Sequence, residues 1–289
     1  YRNLALAYFD HLSEPLRARK NLERARKLMP ESGRIFFELT QLYRALDLPL
    51  DERIALYESD PELTATRDDC TLQYSVLLTE KGEYEKAKSV LDAHRFHTYE
   101  GGEGNLTQHH AWLYFLRGLA EKDEAKRAEI LRAGLVFPEN YGEEKNYFVN
   151  DAPIYFALSE LAAEDKKADL EAAVSTKGAP TIHSYWQTLA YRARGEADRA
   201  VGLANEMIAI GENKIARADV NDYYGVGAPA YQPFNYDIVK AHVLAGSMMC
   251  AFGHLARGER EKALAYAETA RKIDCADFAL YLFDKVARG

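Results

Sequence analysis

One phrase recurs three times in this chain: Lys81-Gly82-Glu83-Tyr84-Glu85-Lys86-Ala87, Arg194-Gly195-Glu196-Ala197-Asp198-Arg199-Ala200 and Arg257-Gly258-Glu259-Arg260-Glu261-Lys262-Ala263. Each copy sets a Gly five residues before an Ala, has a basic residue directly before each of the two, and lies between segments of helical periodicity. A tight helix-to-helix turn accounts for the spacing. Gly adopts the left-handed backbone that ends a helix, and a small Ala lets the next helix pack closely back against the first. A repeated unit of this kind predicts a solenoid of helical hairpins that grows by stacking.

The period of the apolar residues supplies the other hairpins. Leu4, Ala7 and Tyr8 mark one face of a first helix, and Ala18, Leu22 and Ala25 mark its partner, which stops at Pro30. Ile35, Leu39, Leu42, Tyr43 and Leu46 open a second pair whose shorter partner, with Leu56, stops at Pro61. Trp112, Phe115, Leu116 and Leu119 lead through Ala128, Leu131 and Leu135 to Pro138, and Asp151 with Pro153 caps the next helix, partnered by residues 165–174. A last stripe of Phe278, Leu282 and Val286 is expected to cover the open edge of the final hairpin. No strand alternation is sustained. The prediction is an all-α fold, an α-α superhelix of about seven helical hairpins forming a single domain over 1–289, with irregular insertions near residues 94–110, 138–151 and 216–236.

With 47% hydrophobic and 28% charged residues, the composition describes a folded chain rather than a disordered one. The formal charge of -8, read with no Lys/Arg cluster offsetting it locally, argues against nucleic acid and anionic membrane as partners. Cys70, Cys250 and Cys275 lie in apolar helical patterns and read as buried free thiols of a reducing compartment, which gives a cytoplasmic expectation. The longest apolar stretch, His242 to Ala256, reads as too short and too interrupted to span a bilayer. Because the chain opens on Tyr1 in the middle of a helical pattern, it is expected to be a piece of a longer protein.

The hairpin motif resembles the tetratricopeptide repeat: Leu and small residues on the first helix, Gly then Glu at the turn, Ala87, Ala200 and Ala263 early in the second helix, and Pro30 or Pro138 closing a unit. That resemblance implies a right-handed superhelix whose concave face, lined by the first helices, binds peptides or other domains. The insertions carry a narrower one. Arg95 through Gly104, Phe137 through Lys145, and Asp222-Tyr223-Tyr224-Gly225-Val226 with Pro229 look like the helical C-terminal part of large bacterial proteins that join such repeats to an upstream β-sandwich region linked to carbohydrate. Thr98-Tyr99 stand where that resemblance leads one to expect a Pro-Trp pair. It brings no catalytic residues with it.

Long irregular insertions are unnecessary to a solenoid, so they are where a site is sought. The candidate ligand-binding residues are Arg95, His97, Tyr99, Glu100, Glu103, Asn140, Glu143, Lys145, Tyr223 and Tyr224. Glu100, Glu103, Glu143 and Glu144 raise paired-carboxylate chemistry, and His94, His97, His109 and His110 raise a metal, but the spacings match no familiar ligand pair. Tyr makes up 19 of the aromatics and gathers in the insertions, which suits a half-wet contact surface. The reading is therefore a non-catalytic scaffold that docks a protein or a further domain and uses no cofactor or metal. A carbohydrate-binding or glycoside-hydrolase site shared with an upstream region is the alternative.

Overall fold

A computed structural model describes residues 1–97, 102, 104–145, 149–162, 165–176, 178–218, 233–234 and 237–288. Among the described residues there is no strand, and sixteen α-helices follow one another. They form seven successive pairs and a closing helix. The pairs are α1 Arg2–Asp10 with α2 Pro15–Leu28, α3 Gly33–Ala45 with α4 Leu50–Glu58, and, after the single turn of α5 Pro61–Ala65, α6 Asp68–Lys81 with α7 Tyr84–Asp92. Then come α8 Asn105–Ala120 with α9 Glu124–Ala133, α10 Ala152–Ser159 with α11 Lys166–Val174, α12 Ser184–Ala193 with α13 Ala197–Ala216, α14 Ile238–Ala256 with α15 Arg260–Ile273, and α16 Phe278–Arg288. The chain divides into two compact units, residues 1–101 with 225–237, and residues 102–224 with 238–289.

All three copies of the repeated phrase build the same joint. Gly82, Gly195 and Gly258 take φ of 86°, 80° and 78°. The following Glu donates its N–H to the carbonyl five residues back, on Leu78, Tyr191 and His254, each at 2.9 Å. This is the hydrogen bond that closes a helix ending on a left-handed Gly. The three Glu residues occupy the cap position of the second helix without bonding its amides. Their carboxylates are clasped instead by the two basic residues of the phrase. Glu83 lies 3.1 Å from Lys81 and 3.7 Å from Lys86, Glu196 lies 2.6 Å from Arg194 and 2.8 Å from Arg199, and Glu259 lies 2.7 Å from Arg257 and 3.2 Å from Lys262. Ala87, Ala200 and Ala263 are fully buried against the preceding helix. In the first copy the Ser75 hydroxyl donates to the Ala87 carbonyl at 3.1 Å and ties the pair together.

In the first unit Ala18, Leu22 and Ala25 of α2 pack with Ile35, Leu39, Leu42 and Tyr43 of α3. Fully burying a Leu such as Leu22 contributes about 1.5–3 kcal/mol. In the second unit α13 and α14 approach through small residues. A Cβ on Gly211 would sit 2.6 Å from the Gly246 carbonyl, and one on Gly253 would sit 2.7 Å from Ile208. By length and composition α14 could cross a membrane, with mean hydropathy 1.3 over its 19 residues. It is longer than the 242–256 stretch suggested, and its apolar content is explained by packing: Met248, Cys250, Ala251 and Phe252 are buried.

Three expectations are corrected. Cys275 is exposed, while Cys70 and Cys250 are buried. The buried stripe of α16 is Leu280, Phe283 and Ala287 with Leu282, and Phe278 and Val286 are only half-buried. The first insertion ends before residue 110, because α8 already starts at Asn105.

Candidate functional site

In the first unit the segment after α7 folds back onto the start of α6. Asp68, in the first turn of α6, meets His94 Nε2 at 2.6 Å through one carboxylate oxygen and accepts the His97 amide at 2.8 Å through the other. Phe96 is buried between them in sequence and stands edge-on to the His94 ring at 4.5 Å. The Asp68 carboxylate thus serves as an anchor for the loop. Arg95 and His97 extend into solvent beside it. Tyr99, Glu100 and Glu103, as well as Tyr223 and Tyr224, lie outside the described residues.

The connection from α9 to α10 is pinned at three points in the second unit. Tyr141, 2% exposed, reaches inward and its hydroxyl pairs with His110 Nδ1 at 2.9 Å, where Tyr114 and Phe137 also contact the imidazole. Gly104 opens α8 with φ of 78°, and its amide donates to the Glu143 carboxylate at 3.1 Å. A carboxylate at the amino end of a helix is favoured by the helix dipole, so Glu143 fastens the two insertions to each other. Lys145 forms an ion pair with Asp151. Asn140 is half-buried beside Tyr141, and Glu144 is exposed.

Asp151 is the residue before α10, as the sequence indicates, yet its side chain makes no capping bond. The Asn150 side chain accepts the Ala152 amide at 2.9 Å instead, freeing Asp151 for Lys145. Half-buried Tyr155 has its pKa raised by burial and then by the neighbouring carboxylates of Asp151 and Asp169. Asp169, only 6% exposed, has its own pKa raised by burial, against the pull of Arg132. One oxygen each of Asp151 and Asp169 meets no hydrogen-bond partner among the described residues. Sequence reasoning passed over Asp169. Its position beside Leu170 and four residues before Ala173 was the available signal, an acidic residue on the buried face of a helix.

The paired-carboxylate arrangement is not formed by Glu143 and Glu144, since one holds a backbone amide and the other faces solvent. Among the described residues no three His, Cys, Asp or Glu side chains gather as metal ligands would. His109 and His183 sit in apolar surroundings, and burial lowers the pKa of each to about 3, helped at His109 by His110. His183 stacks on Trp112 at 4.4 Å with its Nδ1 on the Thr181 hydroxyl at 3.0 Å. Both imidazoles are neutral structural groups at physiological pH. Compared with models of known protein families, the chain matches none.

Proposed function

We propose that this chain is a non-catalytic interaction scaffold of tetratricopeptide-like hairpins, with the first helices of successive pairs lining a concave face that takes up a peptide or a further domain. One observation carries the reading: among the described residues of the insertions, Glu143, Lys145 and Tyr141 are engaged in holding the insertions in place. Glu143 accepts a helix-opening amide, Lys145 pairs with Asp151, and Tyr141 is spent on His110. Glu143 is thereby withdrawn from the carboxylate pair that glycoside hydrolysis would use. The exposed side chains of Arg95 and His97 remain for contact at the rim.

A photo-reactive residue replacing Arg95 tests this in cells that naturally make the protein. The scaffold reading expects cross-linking to one defined polypeptide, competed away by an excess of the unlabelled chain. Turnover of oligosaccharides by the isolated chain, abolished by Glu143→Gln, would overturn it.

A further inference from the structure

The chain is acidic overall, but its first hairpin is not. Residues 1–29 hold seven Lys or Arg against three Asp or Glu, whereas the whole chain has 37 against 45. This corrects the reading that no basic cluster offsets the net charge. Four of the seven are committed internally: Arg2 to the buried Glu38, Arg17 to Glu14, Arg19 to Glu23 and Glu52, and Arg26 to Asp60. Lys20, Arg24 and Lys27 are exposed and meet no carboxylate within ion-pair distance among the described residues.

Those three cations lie on one face of α2, at spacings of four and three residues. Ala18, Leu22 and Ala25 occupy the opposite, buried face. Leu16 and Leu28 bracket the cations on the solvent side, 78% and 53% exposed, and Leu16 is the most exposed large apolar side chain among the described residues. The two leucines are twelve residues apart, about 18 Å along the helix. Bare leucines at both ends of an uncompensated basic row form an unpartnered surface with defined length and sign.

We propose that this face of α2 docks an acidic amphipathic helix of another polypeptide, its carboxylates over Lys20, Arg24 and Lys27 and its apolar residues, about three turns apart, on Leu16 and Leu28. Charge complementarity selects the acid, and the leucine separation selects a helix rather than a diffuse anion. An anionic bilayer fits less well. Polybasic lipid sites collect roughly four to eight cations, and the acidic remainder of the chain would be repelled by the same surface. The contact is on the outer side of one helix and does not depend on the concave face of the scaffold reading.

The probe is a fluorescein-labelled acidic helical peptide with leucines twelve residues apart and glutamates between them, compared with its scrambled isomer. The proposal expects saturable binding of the ordered peptide. Lys20→Glu/Arg24→Glu/Lys27→Glu should weaken it by at least about tenfold, and Leu16→Ala/Leu28→Ala by about tenfold. All five positions are on the surface, so melting by circular dichroism should be unchanged. Equal binding of the scrambled peptide would reduce the face to unspecific charge and overturn the proposal, as would no binding at all. Preferential binding to phosphatidylcholine vesicles carrying phosphatidylserine would assign the face to lipid. Concentration-dependent dimerisation abolished by the leucine substitutions would assign it to a second copy of this chain. Either result would also overturn the proposal, and neither would bear on cross-linking at position 95.

Discussion

The two compact units are assembled from the same helix pair and share the clasped Gly-Glu joint, but they bury different polar groups. The first hides hydroxyls that answer nearby carbonyls, Thr64 on Tyr57, Thr71 on Thr64 and Thr79 on Ser75, and one carboxylate, Glu38, that Arg2 and Arg34 meet. The second hides hydroxyls too, Thr107 and Thr188 among them, and adds imidazoles: His109, His110, His183 and His254 are each 7% exposed or less. In the first unit His11 and His97 are exposed and His94 is half-buried. Hydroxyls keep their charge state across the pH range in which proteins fold, and imidazoles do not. Among the described residues, the same architecture therefore couples its stability to protons through buried imidazoles in the second unit and through no buried imidazole in the first.

The largest consequence is with acid. His109 and His183 stay neutral in the fold down to about pH 3, while in the unfolded chain each takes up a proton near pH 6.5. Below that point the unfolded state holds more protons, so each residue removes about 1.4 kcal/mol of stability per pH unit until its folded pKa is reached. Amide hydrogen exchange, corrected for intrinsic rates, should lose protection in α8 and α12 between about pH 6.5 and 5, with α3 and α6 holding theirs. Equal loss in both units would break the comparison.

Next in size is the buried ring of the insertion. Tyr141→Ala opens a cavity beside His110 and should cost about 3–5 kcal/mol in denaturant unfolding of the second unit. Tyr141→Phe keeps the ring and loses the hydroxyl, for about 1 kcal/mol. If the two substitutions cost the same, the hydrogen bond rather than the packing would be what holds the connection. The joints, by contrast, should behave alike in both units. Nothing lies within 4 Å of a Cβ added at Gly82, Gly195 or Gly258, so Ala at each meets only backbone strain of about 1–2 kcal/mol. A joint that differed from the other two by more than that would have a role beyond turning the chain.

Those joints were legible in sequence because everything they need is local. The Gly, the Glu and both basic residues lie within seven positions, and even the clasp could be foreseen from the charges around Glu83. The helix pairs were legible for the same reason, since a period needs only its own segment. The site was not. Glu143 finds its amide on Gly104, 39 residues earlier, and Asp169 meets the influence of Arg132 across two helices. The stripe of α16 was placed wrongly because Phe278 and Val286 are as apolar as Leu280 and Phe283. Only the packing of Phe283 edge-on to Phe252, at 5.5 Å, decides between the two faces.

The smallest effect tests whether the second unit also holds a carboxylate at a disadvantage. Asp169 is buried, one of its oxygens meets no hydrogen-bond partner among the described residues, and burial raises its pKa above the ordinary Asp range, with Arg132 opposing. A carboxyl whose folded pKa is raised contributes stability that is complete below its unfolded pKa, about 3.9, and lost as pH rises through the folded value. Near neutral pH the fold therefore carries an ionised group that it would hold better neutral. Asp169→Asn has nearly the same shape and no charge, so its denaturation midpoint should exceed that of the parent at neutral pH. The gain should shrink as pH falls and Asp169 itself becomes protonated. A variant less stable than the parent at neutral pH would mean that attraction to Arg132 outweighs burial. Asp169 would then belong with the ion-paired carboxylates of the first unit, Glu38 among them, rather than with His109 and His183 of its own.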